Sequence, residues 1–337
     1  MKILVTGGLG FIGSHTVVEL QNEGFEVIII DNLSNTSLSV LDGIQNITGK
    51  VPAFEQLDLR DKNKVQDFFK RHTDIEGVIH FAASKAVGES VGNPLLYYEN
   101  NINVLVYILQ ELEKKHTANL IFSSSCTVYG QAEKMPITED SSVQTAMSPY
   151  GNTKQIGEEI IIDAAKASSI NAILLRYFNP IGAHPSAEIG ELPLGVPQNL
   201  VPFITQTGIG IRQELSVYGD DYPTPDGTAI RDYIHVVDLA KAHVIAMQRL
   251  LNKKNQDKVE TFNLGTGTGS SVLEVIHAFE KVSGQKLPYK IVARREGDIT
   301  EAYANTHKAN TILGWKAQST LEEAMASAWK WEQKIRS

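Results

Sequence analysis

Uninterrupted aliphatic runs and amphipathic stretches alternate along the first 178 residues of the chain. Val27-Ile28-Ile29-Ile30 contains no polar position, the pattern of a strand covered on both faces, as strands of parallel sheets are. Similar runs predict strands over 2–6, 26–31, 52–57, 77–81, 119–124 and 171–177. Helical periodicity fills the gaps, over roughly 12–23, 61–72, 94–115 and 149–167. Strand–helix alternation of this kind predicts an α/β fold with a doubly wound parallel sheet.

Beyond Phe178 the texture changes. Residues 180–230 are rich in Gly and Pro and read as loops shaped around a ligand. A helix over 236–251, a strand over 260–264 and helices over 271–282 and 320–334 follow. These predict a smaller mixed α/β C-terminal substrate lobe, 179–337, after a first domain of 1–178. No Ser/Pro/Gly-rich tether separates the two, so the boundary is expected to be interleaved.

Composition narrows the class of function. Lys plus Arg number 31 against 39 Asp plus Glu, a net charge of -8, which argues against a nucleic-acid partner because that surface needs a basic footprint. A single cysteine, Cys126, allows no intrachain disulfide and fits a reducing, cytoplasmic setting. The apolar run Met1-Lys2-Ile3-Leu4-Val5-Thr6 is too short for a signal peptide or a membrane span, so no membrane partner is expected. Histidines lack metal-ligand spacing, and no metal is expected.

The strongest local motif is Thr6-Gly7-Gly8-Leu9-Gly10-Phe11-Ile12-Gly13, directly after the first strand and before the first helix. Gly7, Gly10 and Gly13 let the turn close and let the backbone approach a pyrophosphate seated on the helix N-terminus. Asp31 ends the second strand, where a carboxylate binds an adenosine ribose diol. Its charge would repel a 2′-phosphate and no neighbouring arginine replaces it, so the cofactor is expected to be NAD. The first domain is thus a Rossmann-type NAD-binding unit.

Tyr150 and Lys154 form Tyr-x-x-x-Lys on one face of a helix entered through Ser148-Pro149, suited to the N-cap and first helical position. Ser123-Ser124-Ser125 falls at the carboxyl end of the fifth strand, where ligands of open α/β sheets bind. A tyrosine acting as base near neutral pH must lose about three units from its ordinary pKa, or roughly 4 kcal/mol. A lysine ammonium and a positive nicotinamide ring stabilise the phenolate in that sense. Ser125 would hold the substrate hydroxyl against Tyr150. The catalytic set is therefore Tyr150, Ser125 and Lys154.

With these motifs, the runs Ser123-Ser124-Ser125-Cys126-Thr127-Val128-Tyr129-Gly130, Leu175-Arg176-Tyr177-Phe178-Asn179-Pro180, Arg231-Asp232-Tyr233-Ile234-His235-Val236 and Arg294-Arg295-Glu296-Gly297-Asp298 make the chain resemble the UDP-glucose 4-epimerases of the extended short-chain dehydrogenase/reductase family. The resemblance runs along essentially the whole chain. It implies NAD-dependent epimerisation at C4 of UDP-galactose and UDP-glucose, through a transient 4-keto sugar and bound NADH. It implies NAD contacts from Phe11, Ile12, Asp31, Asn32, Asn35, Asp58 and Leu59. Further contacts are implied from Phe81 with its neighbour Ala82, and from Lys85, Asn100, Tyr150, Lys154 and Phe178.

For the UDP-sugar the resemblance implies Ser125, Tyr150, Asn179, Asn199, Leu200, Tyr218, Arg231, Arg295 and Asp298. Two arginines suit a diphosphate, and Asp298 suits ribose or sugar hydroxyls. The residue four past Asp298 is Ala302, which in this family borders the sugar C2 substituent. An alanine leaves room for an acetamido group, unless Tyr303 fills the space instead, so the N-acetylated UDP-hexoses are expected as further substrates. Cys126, where small residues are usual, and the loop 32–40 depart from the family pattern. The resemblance also implies a homodimer built on helices 94–115 and 150–167; Leu105, Ile108, Leu109 and Leu112 permit that, and equally a monomer's core.

Competing readings fit less well. A nucleotide-sugar dehydratase needs carboxylic acids just after the strand-5 serine, where this chain has Cys126 and Thr127. A non-catalytic NAD-sensing protein has no need of Ser125, Tyr150 and Lys154 together. Gly88-Glu89-Ser90-Val91-Gly92 mimics a hydrolase elbow but lacks the strand that must precede it.

Overall fold

A computed structural model describes residues 1–116, 118–295 and 298–337. Glu296 and Gly297 of the Arg294–Asp298 run lie outside the described residues. Seven strands make the central sheet: β1 (Lys2–Thr6), β2 (Glu26–Asp31), β3 (Ala53–Gln56), β4 (Ile75–His80), β5 (Ala118–Ser123), β6 (Ile170–Tyr177) and β7 (Val259–Leu264). They lie in the order β7-β6-β5-β4-β1-β2-β3, every neighbouring pair parallel. The order reverses between β1 and β4, which opens a crevice at the carboxyl ends of those strands.

Successive strand residues face opposite layers, and both layers are occupied. Ile3, Val5, Ile29, Ile79, Ile121 and Ile173 pack with the helices Phe11–Asn22 and Val236–Leu251. Leu4, Ile28, Ile30, Val78, Leu120 and Leu174 pack with Lys62–Arg71, Val104–Leu112 and Pro149–Ala167. Burying each such side chain contributes about 1.5–3 kcal/mol. That two-sided burial is why the strands read as unbroken apolar runs.

Residues beyond 178 form a further cluster, in which Ile181, Val201, Ile204, Val217 and Tyr233 meet Ile276, Phe279, Met325 and Trp329. Reciprocal caps start two of its helices, Ser271 with Glu274 and Thr320 with Glu323. β7 pairs with β6 although it lies far beyond residue 178, and the helix Val236–Leu251 covers the same sheet. The chain between these two strands thus leaves the sheet and returns to it, and the helices after β7 join the same cluster.

Two expectations change in detail. The helix predicted over 94–115 is three pieces: Pro94–Tyr98, a π turn Glu99–Asn103, and Val104–Leu112. A π turn adds a residue per turn and is invisible to a 3.6-residue period. Leu105, Ile108, Leu109 and Leu112 are all buried in this chain's own core. Helices Ser39–Thr48 and Leu200–Gly208 form where no helix is predicted, because Asn, Gly, Pro and Thr interrupt their apolar pattern. No helix among the described residues is long and apolar enough to cross a membrane.

Candidate active site

The carboxyl ends of β1 to β6 carry the predicted residues in turn, so parallel topology alone collects them along one edge. After β1, Gly7 adopts φ 67, and a Cβ there would lie 2.8 Å from the Ala82 backbone nitrogen. A Cβ on Gly13 would come within 2.2 Å of the Gly7 carbonyl. Only glycine fits either place. The helix Phe11–Asn22 starts at Gly10 with no side-chain cap and no acid in its first turn. Its free N–H groups and the helix dipole make an anion seat, which suits a dinucleotide pyrophosphate.

Asp31 is buried at the end of β2, with Oδ2 accepting from Leu9 N at 3.2 Å and Oδ1 from Leu33 N at 3.0 Å. Burial raises its pKa, against those backbone bonds. Asn32 folds its side-chain oxygen back to Ser34 N, and Asn35 is exposed beside it. Asp58 after β3 is engaged by Arg60, Nη2 to Oδ2 at 2.6 Å, while Leu59 is buried. Phe81 N reaches Thr6 O at 3.0 Å, holding the segment after β4 to the glycine turn. Asn100 donates to Ser84 Oγ at 2.9 Å, and Asn101 clamps both the N–H and the C=O of Ser84. Phe178, just past β6, is buried.

Ser125 follows β5, and Tyr150 enters from the helix Pro149–Ala167, which Ser148 caps through Gly151 N at 3.1 Å. The Ser125 hydroxyl lies close enough to the Tyr150 phenol to act on its ionisation. Burial pushes the Tyr150 phenol well above the ordinary range, and the Ser125 hydroxyl acts in the lowering direction. Lys154 is also buried, its pKa pushed down to about 8 by desolvation, and its Nζ donates to Ser123 O at 2.7 Å. The polypeptide by itself thus raises the phenol; the lowering that a base requires must come from a further positive charge, such as a nicotinamide ring supplies.

Across the crevice, Asp298 bridges the arginines, Oδ1 lying 3.3 Å from Arg231 Nη2 and Oδ2 3.0 Å from Arg295 Nε. The Arg295 guanidinium stacks on Tyr218 at 4.7 Å. Asn179 lies in a strand paired to Tyr233–His235, next to Arg231. Leu200 begins the helix whose N-cap is Asn199, and the Asn199 amide donates to Glu191 Oε1 at 2.6 Å. That carboxylate also pairs with Lys85 at 3.7 Å, tying a predicted cofactor residue to a predicted substrate residue. Ala302 pairs with Arg231 and faces a buried group with Phe178, Val128 and Tyr129, with Cys126 and Ile299 beside it. Tyr303 takes the opposite face, against the Gly269 side.

Sequence reasoning assigned no role to Asp232, although its motif was in view. Fully buried, this carboxylate accepts from Thr266 N and Oγ1, Gly267 N and Ala304 N, and so fastens the turn after β7 to the strand carrying Arg231. Thr127 was read only as a missing acid; its buried Oγ1 has no hydrogen-bond partner among the described residues, next to Ser125. A threonine amid three serines gives no such signal.

The sequence matches the NAD dependent epimerase/dehydratase family over residues 3–265. It is 51% identical over 333 residues to a UDP-glucose 4-epimerase of Bacillus subtilis (strain 168), covering 98% of this chain and 97% of that one. A UDP-glucose-4-epimerase from Stenotrophomonas maltophila, solved with bound NAD and formylated UDP-arabinopyranose, superposes with TM-score 0.96 at 46% identity, covering 100% of this chain and 99% of that one. One from Bifidobacterium longum in complex with NAD+ and UDP gives 0.94 at 46% identity, with coverage of 100% and 99%.

Proposed function

Since the chain belongs to the NAD dependent epimerase/dehydratase family, we propose that it interconverts UDP-galactose and UDP-glucose by inverting the sugar at C4. One observation carries the reading: Ser125, Tyr150 and Lys154 are buried together at the carboxyl edge of a sheet whose first turn fits a dinucleotide, with Lys154 beside the Tyr150 ring. NAD held there would supply the hydride acceptor and donor that an inversion at C4 through a 4-keto sugar needs. Gly7, Gly10, Phe11, Ile12 and Gly13 would hold its pyrophosphate and Asp31 its adenosine ribose; Asn32, Asn35, Asp58, Leu59, Phe81, Ala82, Lys85, Asn100 and Phe178 would line it.

Ser125 and Tyr150 hold the 4-hydroxyl between them. The Tyr150 oxygen takes the hydroxyl proton and later returns it, while Lys154 and Ser125 stabilise the phenolate. Arg231 and Arg295 exchange part of their bonding to Asp298 for the diphosphate. That end stays held while the hexosyl ring turns to present its other face. Asn179, Asn199, Leu200 and Tyr218 complete the UDP side.

A dehydratase needs an acid beside Ser125. Here burial drives the Cys126 thiol up to about 12, and Thr127 is a hydroxyl, so neither supplies one. A non-catalytic NAD-sensing protein would have no use for the buried Ser–Tyr–Lys set. Purified protein incubated with UDP-galactose and no added cofactor should form UDP-glucose. Elimination product instead, or no turnover by NAD-loaded protein, would overturn the reading.

The reading extends to the N-acetylated UDP-hexoses: the position expected to border the sugar C2 substituent is the small Ala302, beside Phe178, while Tyr303 lies toward Gly269. Residues 1–178 serve NAD and 179–337 the UDP-sugar, with β7 and the helix Val236–Leu251 returned to the first layer. The active form is a homodimer: Ile102, Val106 and Tyr107 on one helical stretch and Ile156 and Ile160 on the next are only half-buried in one chain. A single, half-buried free cysteine suits a cytoplasmic setting.

A further inference from the structure

Tyr150, Lys154 and Glu158 succeed one another at four-residue spacing along one face of the helix Pro149–Ala167. The first two already have roles. Glu158 is 4% exposed and fully engaged: Arg176 Nη2 donates to Oε2 at 2.6 Å and Arg176 Nε to Oε1 at 2.9 Å. Oε1 also accepts from Ser124 Oγ at 2.5 Å. Arg176 Nη1 donates to the Tyr129 hydroxyl at 2.9 Å, and that hydroxyl donates to Asn263 Oδ1 at 2.6 Å. The carboxylate thus grips the residue before Ser125, from the helix that carries Tyr150.

We propose that Glu158 is a positioning residue of the reaction, fixing Ser125 through Ser124 and keeping Lys154 cationic through its charge. This rests on the epimerase reading above. Buried ion pairs are weak devices for stability, since a well-packed apolar pair often does as well. Placing one at a strand end, one helical turn from the active lysine, has an electrostatic use.

Lys154 meets few groups able to hold its proton. From β5 come the Ser123 carbonyl and the Phe122 ring, 4.9 Å from Nζ. From β4 comes His80, held neutral by burial that takes its pKa down to about 3. From β6 the Tyr177 hydroxyl bonds to Ser123 Oγ, and from its own helix come Tyr150 and Glu158. Burial disfavours the ammonium, and Glu158 is the anion acting against that burial. Arg176 in turn holds both oxygens of the Glu158 carboxylate.

The test compares pH profiles of kcat for UDP-galactose in NAD-loaded wild type, Glu158→Gln, and Glu158→Gln with Arg176→Met. Gln retains an acceptor for Ser124 and loses the charge; the double variant removes the pair without stranding a buried arginine. The alkaline limb should move about one pH unit lower in each variant, with KM unchanged. Ser124→Ala should lower kcat several-fold and leave the limb in place. A limb that overlays wild type in a folded, NAD-loaded variant overturns the proposal. Failure of both variants to fold would make the pair purely structural and overturn it too. An inactive wild type would instead sink the epimerase reading itself.

Discussion

Lys154 stands beside the ring of Tyr150, Nζ 5.9 Å from its centroid, while its hydrogen bond runs to the Ser123 carbonyl at 2.7 Å. The lysine therefore acts on the phenol through its field. Its position is set by β5, the strand that also delivers Ser125.

Tyr150→Phe keeps the ring and its packing against Tyr97 but removes the proton carrier. Co-purified NAD should be unchanged and kcat should fall by about 10²–10⁴. Near-wild-type turnover in stopped assays would remove Tyr150 from the role.

Lys154→Met should trade activity for stability. Because the folded pKa of about 8 lies below the ordinary lysine value of 10.5, the unfolded chain binds more protons between those values. Stability therefore rises with pH across that window. At pH 7 the buried charge costs on the order of 3 kcal/mol, offset by about 1 kcal/mol from the bond to Ser123. In nucleotide-free protein the variant should melt higher at pH 7, and its advantage should shrink from pH 8 to 10.5. A constant difference across that range would contradict the assignment.

The two arginines should differ. Arg231, only 17% exposed, is the better desolvated partner, whereas Arg295 is 57% exposed at the rim. Calorimetry should find UDP binding weakened by about 1.5–3 kcal/mol in Arg231→Ala and by less in Arg295→Ala, with NAD retained in both. Equal losses, or none, would deny the clamp this asymmetry.

Ala302→Tyr inserts a ring beside Phe178 and Cys126. Overpacking costs about 1–3 kcal/mol, and it should fall on the larger acetamido substrates. The ratio of kcat/KM for UDP-galactose over its N-acetyl counterpart should rise. If both activities fall together, Ala302 is not the gate.

Much of the sheet was legible because burial on both faces leaves runs such as Val27–Ile30 without a polar break. The glycine turn was legible because steric exclusion at Gly7 and Gly13 admits one residue type. The π turn at Glu99–Asn103 was not, since it shifts helical phase while leaving composition alone. Arg231 and Asp298 lie 67 residues apart and meet only through tertiary pairing of Ile230–Arg231 with Glu301–Ala302; likeness to a family brought them together, and local pattern could not. The desolvation of Lys154 was equally out of reach, because it depends on what covers the helix.

β6 and β7 are neighbours in the sheet, and the chain between them leaves to build much of the second lobe before coming home. Both ends of that excursion are stitched into hydrogen-bonded strands. Cleavage within 179–258 should therefore leave both flanking segments anchored in the sheet. A ligand gripped by Arg231 is thereby coupled to the strand pairing of β6 with β7. Occupancy by UDP alone should slow amide exchange in β7.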